Sequence, residues 1–234
     1  YLLIHHKYTK PIFWRFVVIF VDYIIQDFLK KIIFVSNATK RSIIENSGFN
    51  RKFEDKFLVI HNGVQVRKKK IRIKRLFNTK KNIIKIGMLS RIEKYKGQAD
   101  LLKSINELNS VIKKKIVVFL IGNGSKKDIT YIKNIINEYT LKNNVKLLKR
   151  INENSEIILK NLDLAISLTR DFEGFGYSIA EAMLYKVPII TTNVGGSKEF
   201  LNSKTANIVK PKDCKQIRKL IIDFINKRDK WKKK

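Results

Sequence analysis

Residues 173–181 decide the fold of this chain, and they read Glu173-Gly174-Phe175-Gly176-Tyr177-Ser178-Ile179-Ala180-Glu181. The stretch lies between two apolar runs, residues 162–168 and residues 187–190. This order predicts a strand, a glycine loop, a helix and a second strand. Two nearby glycines let the backbone turn tightly and approach a ligand closely. A helix that begins just after them directs free N–H groups and the positive end of its dipole at that ligand. The stretch therefore predicts an anion-binding site.

Each of the two glutamates in this stretch also has a purely structural interpretation. Residues 178–181 fit the S-x-x-E capping box, in which Glu181 would only accept a hydrogen bond from the backbone at the start of its helix. Glu173, which precedes the glycines, is either a solvated loop carboxylate or a group that reaches sugar hydroxyls. Both alternatives stay open on these residues alone.

Four further segments accompany the two glutamates, which stand eight positions apart. They are Phe34-Val35-Ser36, His61-Asn62-Gly63-Val64, residues 87–97 with Arg91 and Lys96, and Asn193-Val194-Gly195-Gly196 followed by Glu199, which is expected to hold a helix start. In order and spacing, the five segments resemble the GT-B-fold glycosyltransferases usually called family 4. That group includes glycogen and sucrose synthases and bacterial mannosyltransferases.

The resemblance implies an α/β protein of the GT-B type with one complete Rossmann-like C-terminal domain. We expect this nucleotide-sugar-binding domain at residues 83–234, a polar interdomain linker at residues 65–82, and the remaining part of an N-terminal, acceptor-side Rossmann-like domain at residues 1–64. Strand-like and helix-like segments alternate from residue 83 onwards, which by itself predicts a parallel sheet covered by helices on both faces. The chain has 234 residues and does not begin with methionine, so we interpret it as a fragment, or a truncated open reading frame, that starts inside a domain.

The resemblance also implies roles for individual residues at a nucleotide-sugar site. Arg91 and Lys96 match the arginine and lysine that hold the donor diphosphate, Glu173 would position the donor sugar, and Glu181 would bind the ribose hydroxyls. The loop of Gly174, Phe175, Gly176 and Tyr177 would bind the donor, and the backbone of the last three would face donor oxygens. Arg150 and Ile151 would pack near the nucleotide base. The paired glycines Gly195 and Gly196 would allow close approach of the backbone.

Two adjacent histidines, His5 and His6, follow a short apolar segment at residues 2–4. In the resembled family a strand of the N-terminal domain ends in a histidine that faces the donor sugar. Either residue matches that place, and the sequence does not choose between them. The alternative is that both are polar residues of a loop at the end of a strand.

The chain is strongly basic, with 50 lysines and arginines against 20 acidic residues and a formal net charge of +30. Such a balance indicates anionic partners. The lysines are spread over every helix-like segment and no known nucleic-acid-binding motif is present, so we expect no nucleic-acid partner. Apolar residues recur at helical steps between residues 11 and 31. A helix of this kind can lie on an anionic membrane, although packing against its own domain is the commoner reason for such a stripe.

Cys214 is the single cysteine, which excludes an internal disulfide and offers no metal cluster. The family resemblance implies that no cofactor and no metal ion is bound. A reducing cytoplasm is the simplest location, with peripheral contact at the inner face of the cell membrane as a further expectation.

The function implied by the resemblance is transfer of a sugar from a UDP-, GDP- or ADP-sugar to a hydroxyl of a glycan or lipid-linked acceptor. Retention at the anomeric carbon, independence of metal ions, and a role in cell-surface polysaccharide or glycolipid synthesis are expected with it. The two glutamates also suggest the paired carboxylates of a glycoside hydrolase, but a sugar-nucleotide site explains the basic pair and the glycine loops better. The alternative is an inactive donor-binding remnant, or a subunit that needs a partner chain.

Overall fold

The computed structural model describes residues 2–4, 20, 24, 27–46, 51–65, 77, 79, 82–149 and 155–231. The chain divides into two compact units, of which unit 1 comprises Tyr1–Gly63, Phe172–Gly176 and Val194–Phe200. Unit 2 comprises Val64–Asp171, Tyr177–Asn193 and Leu201–Lys234. His5, His6, Arg150 and Ile151 lie outside the described residues, and their roles stay predictions.

Unit 1 contains a three-stranded parallel sheet made of β1 (Leu2–Ile4), β2 (Ile32–Phe34) and β3 (Phe57–Val59), in that order. Buried Ile32 and Phe34 pack with Ile43 of helix α1 (Asn37–Asn46) to form its core. A 3₁₀ helix, Arg51–Lys56, leads into β3. The apolar residues of β2 thus attach the helix to the sheet.

Helix α1 begins directly after β2 because Ser36 caps it. The Ser36 hydroxyl oxygen accepts a hydrogen bond from the backbone N–H of Thr39 at 3.0 Å. Serine is among the preferred residues at this position, since its side chain satisfies one of the N–H groups that the helix cannot pair internally. The chain therefore turns from strand to helix within two residues.

Unit 2 contains a six-stranded sheet in which every pair of neighbours is parallel. Its strands are β4 (Ile84–Leu89), β5 (Ile116–Ile121), β6 (Val145–Leu148), β7 (Leu164–Ser167), β8 (Ile189–Thr192) and β9 (Asn207–Val209). The spatial order is β6-β5-β4-β7-β8-β9, so the order reverses at β4. The predicted parallel α/β architecture is confirmed. In such sheets ligands bind beyond the carboxyl ends of the strands at the point of reversal.

Helices cover this sheet and complete its core. They are α2 (Gln98–Asn106), α3 (Ser110–Lys113), α4 (Lys126–Glu138), α5 (Ser155–Lys160), α6 (Tyr177–Leu184), α7 (Cys214–Asn226) and α8 (Arg228–Trp231). Leu101 of α2, Ile132 of α4 and Ile221 of α7 belong to one buried cluster with Ile86 and Met88 of β4. Burial of each such side chain stabilises the folded state by about 1.5–3 kcal/mol. Because side chains of three helices pack with those of β4, this strand is firmly held in unit 2.

Part of the predicted linker packs against the sheet of unit 2. Phe77, inside residues 65–82, is 3% exposed, and the centre of its ring lies 4.9 Å from that of Phe119 in β5. Most of the linker lies outside the described residues, so its boundaries stay a prediction.

The predicted amphipathic helix also lies largely outside the described residues. Phe20, Ile24 and Phe28 are helical, stand four residues apart, and have exposed side chains. Within the described ranges, no helix combines the length and the apolar character needed to cross a membrane. Contact with a membrane surface stays a prediction.

Glycines let the loops beyond the strands of unit 2 touch backbone to backbone. A Cβ atom on Gly122, which follows β5, would lie 1.8 Å from the carbonyl oxygen of Ser90, which follows β4. Gly97 has a φ of +85°, and a Cβ atom there would lie 2.3 Å from the carbonyl oxygen of Leu168, which follows β7. The carboxyl ends of three adjacent strands are therefore joined at positions where a side chain does not fit.

Substitution of Gly122 by alanine should destabilise unit 2. The new methyl group would meet backbone rather than a flexible side chain, and such overpacking costs about 1–3 kcal/mol. Gly63→Ala is the control, because a Cβ atom at Gly63 meets nothing within 4 Å. Urea unfolding would measure both variants, and equal midpoints for Gly122→Ala and the unmodified chain would contradict the close packing.

Candidate functional site

The loop after β4 carries both basic residues predicted to hold a diphosphate. The Arg91 guanidinium donates a hydrogen bond to the Tyr95 hydroxyl at 2.7 Å and pairs with the Glu93 carboxylate at 2.9 Å. The Lys96 ammonium lies 5.1 Å from the centre of the Tyr95 ring. The Arg91 side chain is 56% exposed. Two cations that contact the same tyrosine thus lie near each other, and the guanidinium is accessible from solvent.

Gln98, which the sequence analysis missed, fixes the backbone of this loop. It is 1% exposed, and its Nε2 atom donates to the Ser90 hydroxyl at 3.0 Å and to the Arg91 carbonyl oxygen at 2.7 Å. The Gln98 amide contacts two successive residues of the loop, Ser90 and Arg91, and so restrains the place from which the Arg91 side chain starts. The only local signal was a glutamine at the first position of a helix, directly after Gly97.

An ion pair between Asp100 and Arg170 connects the first turn of α2, which follows the loop after β4, to the loop after β7. Arg170 Nε donates to Asp100 Oδ2 at 2.8 Å and Nη2 donates to Oδ1 at 2.7 Å. The Asp100 side chain is 9% exposed. These hydrogen bonds raise the pKa of the Arg170 guanidinium, against the opposing effect of burial. The backbone N–H of Arg170 also donates to the Tyr95 carbonyl oxygen at 2.8 Å, so the pair holds the same loop that carries Arg91 and Lys96.

Glu181 lies on α6 and contacts a residue of α5. Its Oε1 atom accepts a hydrogen bond from the Ser155 hydroxyl at 2.7 Å. Helix α6 begins at Tyr177, so Ser178 is its second residue and does not cap it. The capping-box interpretation of Glu181 is therefore wrong. Ser155, which orients the carboxylate, gave no signal in the sequence.

Unit 1 brings together two glycine segments, residues 172–176 and residues 194–200. The backbone N–H of Gly196 donates to the Glu173 carbonyl oxygen at 2.7 Å. Gly195 has a φ of +58°, and a Cβ atom there would lie 2.3 Å from the same oxygen. A Cβ atom on Gly196 would lie 2.1 Å from the Gly174 carbonyl oxygen. Both glycines are required for this contact, which holds the backbone of Glu173.

Glu199, at the end of the second glycine segment, holds the start of helix α1. Its carboxylate accepts from the backbone N–H of Asn37 at 3.1 Å, from the Asn37 side-chain amide at 3.1 Å, and from the backbone N–H of Ala38 at 2.8 Å. His61 Nε2 lies 2.7 Å from its Oε2 atom. Glu199 thus holds a helix start, but it is the start of a helix 162 residues earlier in the chain and not of one near Ser197.

The environment of Glu199 favours its ionised form. Burial by itself would raise the pKa of this carboxyl, since the side chain is only 17% exposed. Hydrogen bonds from His61, Ala38 and Asn37 outweigh that effect and lower the pKa below its ordinary value. The negative charge also lies at the positive end of the helix dipole. Glu199 is therefore a carboxylate at neutral pH.

Cys214 is half-buried, and burial raises the pKa of its thiol. It is therefore protonated at neutral pH and a poor nucleophile. In the part of the chain that the structure describes, no group of three or more His, Cys, Asp or Glu side chains is arranged to hold a metal ion.

Replacement of Asp100 by alanine should destabilise unit 2 by about 2–3 kcal/mol, because it leaves a partly buried guanidinium without its anion. Lys160→Ala is a matched control that removes one partner of an ion pair with Glu156 whose lysine is 58% exposed; such pairs contribute at most about 0.5 kcal/mol. Urea unfolding would measure both. Equal losses of unfolding free energy in the two variants would contradict a stabilising role of the pair formed by Asp100 and Arg170.

The stabilisation from Glu199 should disappear in acid. Because its pKa in the folded chain is below the ordinary value of 4.5, the stabilisation is complete above that pH and is lost as the pH falls through the folded-state pKa. Glu199→Gln cannot ionise, so the difference in unfolding free energy between the unmodified chain and this variant should shrink below pH 4.5. Denaturant unfolding across pH would measure it, and a constant difference would contradict the assignment.

Comparisons with known proteins show the family to which the chain is related. Residues 67–234 match the model of the family described as glycosyl transferases group 1. The chain is similar to the uncharacterized glycosyltransferase MJ1069 of Methanocaldococcus jannaschii, with 25% identity over 202 residues that cover 83% of this chain and 49% of the relative. It is also similar to the capsular polysaccharide biosynthesis glycosyltransferase CapM of Staphylococcus aureus, with 29% identity over 208 residues that cover 86% and 51%. The chain thus spans about half the length of these curated relatives.

Solved structures share its fold. HepE of Anabaena, crystallised with UDP and glucose, has a TM-score of 0.81 and 19% identity over 98% of this chain and 63% of that chain. WaaG, a glycosyltransferase involved in lipopolysaccharide biosynthesis, has a TM-score of 0.71 and 13% identity over 87% and 56%. These likenesses confirm the predicted α/β, GT-B-type fold. Because the family match extends over most of the residues, this chain belongs to the glycosyl transferases of group 1.

Proposed function

We propose that this protein transfers a sugar from a nucleotide-sugar donor to a hydroxyl of a glycan or lipid-linked acceptor, in the assembly of cell-surface polysaccharide or glycolipid. Membership of the group 1 glycosyl transferases supports the reaction class. The name of CapM, a capsular polysaccharide biosynthesis enzyme, supports the class of product. The complex of HepE with UDP and glucose supports a uridine nucleotide among the candidate donors.

The observation that carries this proposal is the position of Arg91 and Lys96. Both lie on the loop beyond the carboxyl end of β4, the strand at which the sheet order reverses, which is where parallel sheets bind ligands. A guanidinium fork and a flexible ammonium together neutralise charge that grows on a departing nucleoside diphosphate. Gln98 and the pair of Asp100 with Arg170 hold the loop in place before the donor arrives.

Glu181 is suited to bind the ribose. The Ser155 hydroxyl occupies its Oε1 atom, and no described residue donates a hydrogen bond to its Oε2 atom. A carboxylate oxygen held in this way accepts hydrogen bonds from vicinal hydroxyls. We assign Glu173, whose backbone is fixed by the glycine segments, to the donor sugar. The backbone of Phe175, Gly176 and Tyr177 is assigned to the donor oxygens.

The proposed reaction retains the anomeric configuration and needs no metal ion. The leaving phosphate itself would help to deprotonate the acceptor hydroxyl on the same face of the sugar. The protein then supplies position and fixed positive charge rather than a nucleophile. Either His5 or His6 is assigned to the sugar by the family resemblance. A cytoplasmic location with peripheral contact to an anionic membrane is proposed with it, and the net charge of +30 supports that contact.

Calorimetric titration with UDP, GDP and ADP tests the site. One nucleotide should bind, and Lys96→Ala, Arg91→Ala and Glu181→Ala should each weaken it about tenfold, because each removes a hydrogen bond or ion pair to a charged group.

Two exposed residues of the same types serve as controls. Lys94→Ala removes a lysine from the same loop, and Glu138→Ala removes a glutamate from the end of α4; both variants should bind like the unmodified chain. A folded chain that binds none of the three nucleotides would contradict the proposal and favour an inactive remnant or a subunit that needs a partner chain.

A further inference from the structure

We propose that Glu199 is a positioning residue for the donor site: it fastens the two glycine segments of unit 1 to the start of helix α1 and thereby fixes where Glu173 presents its carboxylate. The inference rests on the proposed function, since it concerns the same donor sugar. Glu199 itself is not assigned to contact the donor. It acts through the backbone of residues 172–176 and 194–200.

The first step is the set of N–H groups at the start of α1. The first N–H groups of a helix have no partner within it. Ser36 takes the N–H of Thr39, and Glu199 takes those of Asn37 and Ala38. A residue distant in sequence therefore completes the cap of this helix. Loss of Glu199 would leave two adjacent donors without their acceptor.

The second step is the short and rigid link from Glu199 to Glu173. Gly195–Glu199 form a 3₁₀ helix. The fully buried Ser197 side chain accepts from the Val194 N–H at 3.2 Å and donates to the Val194 carbonyl oxygen at 2.7 Å. Gly196, one turn before Glu199, donates to the Glu173 carbonyl oxygen. Only one helical turn, from Glu199 to Gly196, and one hydrogen bond, from Gly196 to Glu173, separate the Glu199 carboxylate from the Glu173 backbone. Restraining Glu199 therefore also restrains that backbone.

The third step is direct contact between the start of α1 and both glycine segments. A Cβ atom on Gly196 would lie 2.7 Å from the Ser36 hydroxyl oxygen, so these residues already touch. The Thr39 hydroxyl lies 3.5 Å from the Gly174 carbonyl oxygen. Neither contact is strong, because one is only van der Waals packing and the other is at the limit of a hydrogen bond. The charged hydrogen bonds of Glu199 are therefore the strong attachment.

His61 adds a second anchor to the same carboxylate. It follows β3, whereas Asn37 and Ala38 follow β2, so Glu199 joins the ends of two neighbouring strands. Three parts of the sequence take no direct part in the proposed reaction but share this structural role. They are residues 34–36, residues 61–64 and Glu199. They hold the glycine segments rather than the donor.

The proposal separates the effects on nucleotide binding and on sugar transfer. The residues assigned to the nucleotide, Arg91, Lys96 and Glu181, belong to unit 2 and do not depend on Glu199. The residue assigned to the sugar, Glu173, does. Release of the glycine segments, which also carry the backbone of Phe175 and Gly176 assigned to donor oxygens, should therefore lower kcat by a larger factor than it weakens nucleotide binding.

The test compares Glu199→Ala and Glu199→Gln with Glu45→Ala, a control that removes an exposed glutamate near the other end of α1. Amide hydrogen exchange of the whole chain should become about tenfold faster at residues 172–176 and 194–200 in Glu199→Ala, because the lost hydrogen bonds involve a charged acceptor. Glu199→Gln keeps one acceptor oxygen and should give an intermediate rate. Glu45→Ala should exchange like the unmodified chain.

Kinetics and binding complete the test. With UDP-glucose, GDP-mannose and ADP-glucose as donor probes, Glu199→Ala should lower kcat for release of the nucleoside diphosphate about tenfold, with partial recovery in Glu199→Gln and a smaller change in the Kd for the nucleotide. Unchanged exchange at the glycine segments would overturn the inference. Faster exchange throughout the sheet of unit 1, or local release with an unchanged kcat, would also overturn it. An unmodified chain that binds no nucleotide would instead refute the proposed function, and the exchange result would still decide whether Glu199 holds the segments.

Discussion

Backbone contact at glycines is the constraint on which the rest of unit 2 depends. Where the loops after β4, β5 and β7 meet, carbonyl oxygens of one loop occupy the space that a Cβ atom of the next would need. Parallel strands all end at the same edge of a sheet, so their loops compete for room there. Gly97 and Gly122 have no side chain, so the loops pack together there without a steric clash. The loop that carries Arg91 and Lys96 can then cross directly over the strand ends.

Buried polar groups turn this close packing into a defined geometry. Apolar contacts are non-directional, so they hold the strands together without fixing the course of the loops above them. Gln98 and the pair of Asp100 with Arg170 provide direction, because hydrogen bonds require particular angles. Gln98 contacts Ser90 and Arg91, and Arg170 contacts Tyr95 through its backbone. Buried polar groups thus restrain the loop that carries Arg91 and Lys96.

Unit 1 uses the same two devices with different residues. Gly195 and Gly196 allow the two glycine segments to touch, and Glu199 gives the contact its direction. A carboxylate is suited to this purpose because it accepts several hydrogen bonds at once. The cost of burying its charge is offset by the helix dipole and by three kinds of donor.

Local pattern determined a large part of this protein. A continuous apolar run of the length of β5 predicts a buried parallel strand, because only strands covered on both faces can be apolar throughout. The spacing of Arg91 and Lys96 on one loop, and the two glycine segments, were equally visible, since all of these depend on neighbouring residues. Tertiary structure decided the partners of the polar side chains: Glu199 with Asn37, Arg170 with Asp100, and Glu181 with Ser155. The pattern of a strand shows that it is buried but not which strand lies beside it, so contacts between loops distant in sequence exist only once the sheet order is set.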